Sequence, residues 1–230
     1  QGADQIVEVL LGSDGSTDDT AALIASLNDS RLRLFSFNER RGKPAVLNDL
    51  IPAARGEFVL LTDARQEFDA GFLTEALANF ADEKVGVVSG ELVFRTDGAQ
   101  STAAEGIGLY WRYEKFLRSA ESRFRGVPGA TGACYMIRAN LFRPIPPSTI
   151  LDDVAIPLTI VAQGLRCVFE RKAIAYDRPS QTPRQEAIQK RRTIAGAAQL
   201  LRLYPQWLWP GAQPLWFEYV SHKLARLTSP

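Results

Sequence analysis

Residues 8–20, EVLLGSDGSTDDT, constrain the fold of this chain more than any other stretch of its sequence. The apolar run at 6–11 predicts a strand, the small polar residues at 12–17 a tight turn, and the apolar spacing at 21–27 a helix. A strand, a tight turn and a helix in succession indicate an α/β domain. Because ligands of such domains lie beyond the carboxyl ends of the strands, Asp14 is a candidate binding residue. An ordinary turn whose polar residues only cap the helix explains the same residues equally well.

The polar turn also carries a recognisable motif, because residues 14–18 read Asp-Gly-Ser-Thr-Asp. This motif at a strand end resembles the nucleotide-sugar loop of family 2 glycosyltransferases, the GT-A group that includes cellulose and hyaluronan synthases. The resemblance implies an α/β fold of the GT-A type, with a mostly parallel sheet flanked by helices. It also implies that Asp14 contacts the uridine of a UDP-sugar donor.

A second turn, NERRGKP at residues 38–44, precedes an apolar helical pattern at 45–51. Pro44 suits the first turn of a helix, and Lys43 can add a positive charge to an anion held near the helix N-terminus. From composition alone, a solvated basic turn is the better explanation. The resemblance instead implies that Lys43 binds the nucleotide, because the family places a Gly-Lys pair before such a helix and the Lys of this pair contacts the nucleotide.

A strand buried on both faces is predicted at residues 58–61, FVLL, and it is followed by Asp63 and Arg65. The resemblance makes this the Asp-x-Asp site of the family, where carboxylates hold Mg²⁺ or Mn²⁺ on the diphosphate of the donor. Magnesium usually takes only one or two protein ligands beside phosphate oxygens and water, so Asp63 can still be the metal ligand. Arg65 replaces the second Asp, and we expect it to pair with phosphate or with Glu67 or Asp69.

Two adjacent carboxylates, Asp152 and Asp153, stand before an apolar helical pattern at residues 154–161. Acidic residues at a helix start can simply cap it and offset its dipole. In the family the matching pair reads Glu-Asp, and its Asp is the general base that deprotonates the acceptor hydroxyl. The resemblance therefore implies that Asp153 is the base of an inverting displacement and that Asp152 binds substrate. It also implies that the glycine-rich loop at 127–132 lines the acceptor side of the cleft.

A helix is predicted from about residue 182, and it carries Gln189 and Arg192 on one face. The sequence QKRRT at 189–193 resembles the Gln-x-x-Arg-Trp signature of the family. This implies that Gln189 and Arg192 bind substrate, with Arg192 facing the diphosphate. Thr193 replaces the Trp that borders the acceptor channel in polymerising relatives, so the motif gives no support to processive synthesis. A solvated basic helix is the alternative.

A long amphipathic pattern at residues 103–125 predicts another helix. Its aromatic residues, among them Tyr110, Tyr113 and Phe116, recur at helical spacing, which favours packing in the core over a platform for sugars. We therefore assign this helix a structural role.

Composition limits the classes of function open to the chain. Its 27 basic and 26 acidic residues balance, which argues against a nucleic-acid binder. Its two cysteines, Cys134 and Cys167, lie in apolar surroundings without metal-ligand spacing, and we expect buried thiols. No apolar run reaches the roughly 18 residues of a membrane-spanning helix. A length of 230 residues suits one α/β domain with a full core.

The C-terminal segment, residues 205–230, contains three of the four tryptophans, interleaved with prolines and basic residues. Amphipathic aromatics beside basic residues suit a helix at a membrane interface, whereas a helix packed on the flank of the domain is the alternative. We therefore divide the chain into a GT-A catalytic core at 1–204 and this segment, and we expect His222 at its surface. Membrane relatives continue with interfacial helices here, so the resemblance implies a place at the cytoplasmic face of the cell membrane.

The start of the chain departs from the family pattern. Only about five residues precede the first predicted strand, whereas GT-A domains of the family begin one strand and one helix earlier. The resemblance therefore leads us to expect an N-terminally truncated sheet that lacks its first strand.

Four motifs of independent chemistry follow in the order of the family. The sequence therefore predicts a membrane-associated family 2 glycosyltransferase of polysaccharide biosynthesis. It would move a sugar from a nucleotide-sugar, in this family a UDP-sugar, to an acceptor hydroxyl of a glycan or lipid. Two other classes remain open. A nucleotidyltransferase also combines an α/β sheet with acidic metal ligands, and a non-catalytic nucleotide-sugar-binding module would explain the two departures from the motifs.

Overall fold

The computed structural model describes residues 5–95, 102–178 and 182–225 of the chain. Strands and helices alternate along most of it, as expected of an α/β domain. The strands are β1 (Val9–Asp14), β2 (Leu32–Phe37), β3 (Phe58–Thr62), β4 (Glu67–Phe68), β5 (Val85–Phe94), β6 (Cys134–Arg138) and β7 (Arg166–Asp177). The helices are α1 (Thr20–Ser26), α2 (Lys43–Leu50), α3 (Phe72–Ala78), α4 (Thr102–Phe124), α5 (Asp152–Val161), α6 (Pro183–Leu203) and the short α7 (Trp216–Glu218).

The strands form two sheets in the described part of the chain. β1 and β2 pair in parallel as a two-stranded sheet, and the other five strands have the order β3-β6-β5-β7-β4. In the larger sheet β5 and β7 run parallel, whereas the other three pairs are antiparallel. The predicted α/β class is confirmed, but the expectation of a mostly parallel sheet is wrong, because the larger sheet is mixed.

The direction of β6 follows from the loop that precedes it. After α4 ends, Val127 N donates to Cys167 O near the start of β7 (2.8 Å), and Thr131 N donates to Ser89 Oγ further along β5 (2.9 Å). The loop therefore carries the chain back along the sheet, and β6 enters it from the opposite end. A strand buried on both faces is apolar in either direction, so the sequence gives no signal of this reversal.

Two pairs of predicted strands are each one continuous strand. The sequence predicts short strands at 85–90 and 91–94, and again at 166–169 and 173–176. In the structure the first two form β5 and the other two form β7. Their pairing shifts register directly after Gly90. Gly90 permits the close approach, because a Cβ at this position would lie 2.7 Å from Ala173 O. An irregularity within the ladder thus replaces the expected breaks.

The larger sheet separates two hydrophobic clusters. Alternate side chains of β6 enter different clusters, Tyr135 with Ile137 on one side and Cys134 with Met136 on the other. α5 and the C-terminal segment cover the first side, and α3 covers the second. Cys134 and Cys167 are buried free thiols, as predicted. α5 is buried over most of its length, which fixes the position of the acidic pair at its start.

The two-stranded sheet positions the first turn of α2. Gly12 of β1 makes room for this helix, because a Cβ there would overlap Val46 Cγ1 and lie 3.2 Å from Leu50 Cδ2. Pro44 lies in the first turn of α2, as predicted. Lys43 is thereby brought to the carboxyl end of β1.

α4 is confirmed as a helix, but its aromatic side chains do not pack as predicted. Tyr113 is 60% exposed and Phe116 is 72% exposed, while the side chain of Tyr110 lies outside the described residues. Glu114 and Glu121, two turns apart, face the interior instead, with side-chain exposures of 11% and 9%. The buried face of α4 is therefore charged at this point.

The C-terminal segment packs on the first cluster of the core. Trp207, Leu215 and Tyr219 are buried there, whereas Trp209 and Phe217 are largely exposed. In the part of the chain that the structure describes, no helix combines the length and the apolar character needed to cross a bilayer. Contact of this segment with a membrane surface stays a prediction.

His222 joins the C-terminal segment to α4. Its Nδ1 lies 2.8 Å from Glu121 Oε1 and its Nε2 lies 3.1 Å from Glu114 Oε1. The expectation of a surface histidine is wrong, because both ring nitrogens have buried carboxylate partners. Burial lowers the pKa of His222, but the hydrogen bonds to both glutamates outweigh it and raise the pKa above its usual value. Both nitrogens can donate only in the imidazolium form, which these carboxylates favour.

We expect His222→Gln to destabilise the protein more at pH 6 than at pH 9. Because the folded-state pKa is raised, the stabilisation by the imidazolium is complete below about pH 6.5 and is lost as the pH rises through the folded pKa. At pH 6, the substitution removes the charged partner that the two buried carboxylates share, which costs roughly 3 kcal/mol. Urea unfolding at the two pH values measures the difference, with the exposed neighbour variant Ser221→Ala as control. Equal losses at both pH values would contradict this prediction.

Candidate active site

Asp14, at the carboxyl end of β1, holds the turn before α2. Its Oδ1 accepts a hydrogen bond from Arg41 N and its Oδ2 one from Gly42 N, both at 2.7 Å. Gly42 has a φ of 89°, in the left-handed region that favours glycine. Asp14 therefore positions Lys43. Contact of Asp14 with a ligand stays a prediction.

Lys43 connects three elements of the site. Its Nζ lies 3.2 Å from Asp63 Oδ1, just after β3, and 3.4 Å from Asp152 Oδ2, at the start of α5. Burial lowers the pKa of Lys43, but the Asp152 and Asp63 carboxylates outweigh it and raise the pKa. The fold thus brings together predicted site residues that are far apart in the sequence, around a charged ammonium group.

Asp152 and Asp153 begin α5 and have different surroundings. Asp152 is 5% exposed, and its Oδ2, which faces Lys43, makes no hydrogen bond to the described residues. Asp153 is partly buried, and burial together with the adjacent charge of Asp152 raises its pKa to about 6. A carboxylate with this pKa is largely ionised at neutral pH and still binds a proton readily, as a general base must.

The glycine-rich loop before β6 packs directly on Asp153. Ala130 N donates to Asp153 O at 2.8 Å, and a Cβ on Gly132 would lie 3.0 Å from Asp153 Oδ2. Gly132 thus allows the loop to approach the carboxylate closely. The loop is also held by α4, because Thr131 Oγ1 accepts a hydrogen bond from Arg118 Nη1 at 2.8 Å.

Asp63 lies between two cations. One carboxylate oxygen faces the lysine ammonium, and the other, Oδ2, lies 3.6 Å from Arg65 Nη2. Arg65 pairs with Asp177 at the end of β7, with Nε 3.0 Å from Oδ1, rather than with Glu67 or Asp69 as expected. The local sequence does not indicate Asp177, because this residue lies on a distant strand. Contact of Arg65 with phosphate, the other expectation, stays a prediction.

The oxygens around Asp63 suit a divalent cation only in combination with a ligand. Within the described ranges, no group of three or more His, Cys, Asp or Glu residues could hold a metal ion. The Asp63 carboxylate is a hard oxygen ligand, and 35% of its side chain is exposed. Mg²⁺ or Mn²⁺ bound there would take its remaining oxygens from phosphate and water, which is common for these ions.

Gln189 and Arg192 lie on an exposed stretch of α6. The same face of the helix continues to Gly196, one turn beyond Arg192. Gly196 packs on the residue before the acidic pair, because a Cβ there would lie 2.6 Å from Leu151 Cγ. α6 is therefore anchored beside Asp152, and the face that carries Gln189 and Arg192 extends from that anchor. Their binding of substrate stays a prediction.

Two further residues belong to the site and carry no signal in the sequence. Asp177 ends β7, 112 residues after its partner Arg65. Lys223 in the C-terminal segment lies close to the glycine-rich loop, since a Cβ on Gly129 would be 3.6 Å from its Cε. Against the effects of burial and of the neighbouring carboxylate, the charge of Lys223 lowers the pKa of Asp153.

Comparisons with known proteins identify relatives over most of the chain. A family model described as Glycosyl transferase family 2 matches residues 1–145. YaiP, an uncharacterized glycosyltransferase of Escherichia coli (strain K12), is 27% identical over 218 residues, which cover 87% of this chain and 52% of YaiP. Poly-beta-1,6-N-acetyl-D-glucosamine synthase of Staphylococcus aureus (strain COL) is 34% identical over 174 residues, which cover 74% of this chain and 42% of the synthase. The chain thus spans about half the length of the curated relatives it matches.

A solved structure shares the fold. The mannosyltransferase PcManGT from Pyrobaculum calidifontis, in complex with GDP-Man and Mn²⁺, superposes with a TM-score of 0.73 and 26% sequence identity. The match covers 96% of this chain and 61% of that protein. Since it extends over almost the whole chain, it confirms the GT-A fold that the motifs predict.

Proposed function

The chain belongs to glycosyl transferase family 2, and from this premise we propose that it transfers a sugar from a nucleotide-diphospho-sugar to an acceptor hydroxyl with inversion. The acidic pair at the start of α5 carries the proposal. Asp153 has a pKa of about 6, and Asp152 is linked through Lys43 to Asp63. One site thus combines a base for the acceptor with a charged cradle for the donor.

In the proposed step Asp153 acts on the acceptor. Its carboxylate takes the proton of the acceptor hydroxyl, whose oxygen forms a bond to the anomeric carbon of the donor sugar. The bond from that carbon to the diphosphate breaks, and the nucleoside diphosphate leaves with the bonding electrons. A neutral hydroxyl is a weak nucleophile, and a positioned base commonly contributes about 10²- to 10⁴-fold to the rate.

The donor is held by residues on the other side of the site. Lys43 and Arg192 place positive charge near the leaving diphosphate, where charge increases during the reaction. Asp14 and Gln189 complete the proposed donor-binding set. Asp63 would hold a divalent cation, Mg²⁺ or Mn²⁺, which would add positive charge at the diphosphate. The Mn²⁺ in the PcManGT complex supports the use of a divalent cation.

The nucleotide, the acceptor and the cellular location extend the proposal. PcManGT binds GDP-Man, whereas the Asp14 motif favours UDP, so UDP-sugars are the first donors to test and GDP-Man the second. We propose a glycan or lipid hydroxyl as acceptor, supported by similarity to a polysaccharide synthase. The exposed Trp209 and Phe217 support contact with a membrane at its cytoplasmic face.

Product analysis tests the proposed function. A thermal-shift screen of nucleotide-sugars with Mg²⁺ or Mn²⁺ selects the donor, and incubation with candidate acceptors is then expected to release nucleoside diphosphate. Release of pyrophosphate would indicate a nucleotidyltransferase instead. Donor binding without any turnover would indicate a binding module that has lost catalysis.

In the same assay we expect kcat/KM to rise with pH, with half of its plateau near the Asp153 pKa of about 6. The sign follows because only the ionised carboxylate accepts a proton, and because burial and the Asp152 charge raise its pKa. Lys223→Met removes a charge that lowers this pKa, so the midpoint of this variant should move to higher pH. A rate independent of pH across this range would argue against Asp153 as the base.

A further inference from the structure

Arg65 occupies the place of the second carboxylate of the family motif, and the structure fixes its guanidinium. Its Nε lies 3.0 Å from Asp177 Oδ1 and its Nη2 lies 3.1 Å from Asp177 Oδ2, a bidentate pair. Asp177 is 8% exposed, at the end of β7. Burial raises the pKa of its carboxyl, but the hydrogen bonds from Arg65 outweigh it and lower that pKa. Both partners are therefore ionised at neutral pH.

The same guanidinium changes what Asp63 can bind. Asp63 is flanked by Lys43 Nζ at 3.2 Å on one oxygen and by Arg65 Nη2 at 3.6 Å on the other. A divalent cation at Asp63 therefore competes with two protein cations. Arg65 keeps 64% of its side chain exposed, and its hydrogen bonds to the described residues use Nε and Nη2 but not Nη1.

We propose that Arg65, held in place by Asp177, binds the donor diphosphate directly and supplies part of the charge that a divalent cation supplies elsewhere in the family. This inference rests on the proposed function. A guanidinium matches phosphate oxygens with a planar fork of donors. Because Asp177 already orders the side chain, binding costs less conformational entropy than it would for a free arginine. The protein should therefore retain nucleoside-diphosphate binding after metal is removed.

A purely structural salt bridge between the segment after β3 and the end of β7 is the alternative. Such a bridge would stabilise the fold and leave nucleotide affinity unchanged. Arg95 offers a matched control, because it is 56% exposed, pairs with Glu67 at 2.6 Å and packs over the ring of Tyr176 in β7. Arg95→Ala changes the net charge by the same amount as Arg65→Ala, at an arginine outside the proposed site.

Calorimetric titration of UDP and of GDP, each in EDTA and in Mn²⁺, tests the inference. We expect the wild type to bind at least one nucleotide in EDTA, and Arg65→Ala to lose about 10- to 100-fold of that affinity, as expected for a charge-assisted hydrogen bond. Arg65→Lys, which keeps the charge without the fork, should lie between them, and Arg95→Ala should match the wild type. Asp177→Asn leaves Arg65 charged but less ordered, so it should weaken binding in EDTA by less than Arg65→Ala.

The outcomes separate this inference from the proposed function. Metal-dependent binding that Arg65→Ala leaves unchanged, or an equal loss in Arg95→Ala, would overturn the inference and leave the proposed function standing. Binding of neither nucleotide in either buffer would overturn both. If thermal unfolding shows that Arg65→Ala does not fold, the affinity of Arg65→Lys tests the inference instead. A wild-type affinity of this variant in EDTA would overturn the inference that the guanidinium binds the diphosphate.

Discussion

Asp153→Asn is expected to lower the rate of sugar transfer by about 10²- to 10⁴-fold and to leave donor affinity almost unchanged. The amide keeps the shape of the side chain but cannot accept the proton of the acceptor hydroxyl. The residues proposed to bind the donor do not include Asp153, so the donor affinity should not fall together with the rate. Release of nucleoside diphosphate and calorimetric donor binding, measured on the same preparation, give both quantities.

The same substitution should also make the protein more stable at pH 8. Burial and Asp152 raise the pKa of Asp153 to about 6 in the folded state, so its ionisation disfavours folding above that pH. The cost is absent below the unfolded pKa of about 4 and reaches up to roughly 3 kcal/mol above the folded pKa. The gain of Asp153→Asn should therefore shrink as the pH falls from 6 to 4. Asp82→Asn makes the same chemical change at an exposed position and serves as control.

Turnover near the wild-type level in Asp153→Asn would refute the role of Asp153 as the base.

Asp63→Ala is expected to abolish the response of donor binding to Mn²⁺. Asp63 is the protein carboxylate that we assign to the cation, and its loss leaves phosphate and water as the remaining ligands of the ion. Arg65→Asp restores a second carboxylate beside it and should bind the cation more tightly than the wild type. Electron paramagnetic resonance of free Mn²⁺ measures both effects without an activity assay.

Glu67→Gln provides the control for this pair of variants. Glu67 lies close in the chain, and its carboxylate pairs with Arg95 at an exposed position. Its removal should leave the Mn²⁺ titration unchanged. An Asp63→Ala protein that still binds donor more tightly in Mn²⁺ would show that the cation is held elsewhere.

The parts of the site that could be predicted are those encoded by short local patterns. The turn with Asp14, the helix start after Lys43 and the acidic pair before α5 each combine an element boundary with polar residues. Their order along the chain then indicated one site, and the structure joins Lys43 to Asp63 and Asp152. The α/β class followed from the same alternation of strand and helix patterns.

The parts that could not be predicted depend on contacts between distant segments. The Arg65–Asp177 pair joins the turn after β3 to the end of β7, and nothing in the local sequence of either residue specifies the other. The sequence around His222 likewise gives no sign that this residue is buried between two carboxylates. A usable clue lay in Glu114 and Glu121, because two acids two turns apart on an amphipathic helix require a cation if that face is buried. The aromatic residues of α4 indicate a different buried face, but Tyr113 and Phe116 are exposed.

The position of β5 has a consequence for synthesis of the chain. β5 lies between β6 and β7 in the larger sheet, and Val87 within it is completely buried. Both neighbours are translated later, and about 70 residues separate the end of β5 from β7, so at roughly 5–20 residues per second β5 waits several seconds for that partner. During this interval an apolar strand with at least one open edge is exposed on the nascent chain. Molecular chaperones that bind extended apolar segments are therefore expected to engage this protein while it is still attached to the ribosome.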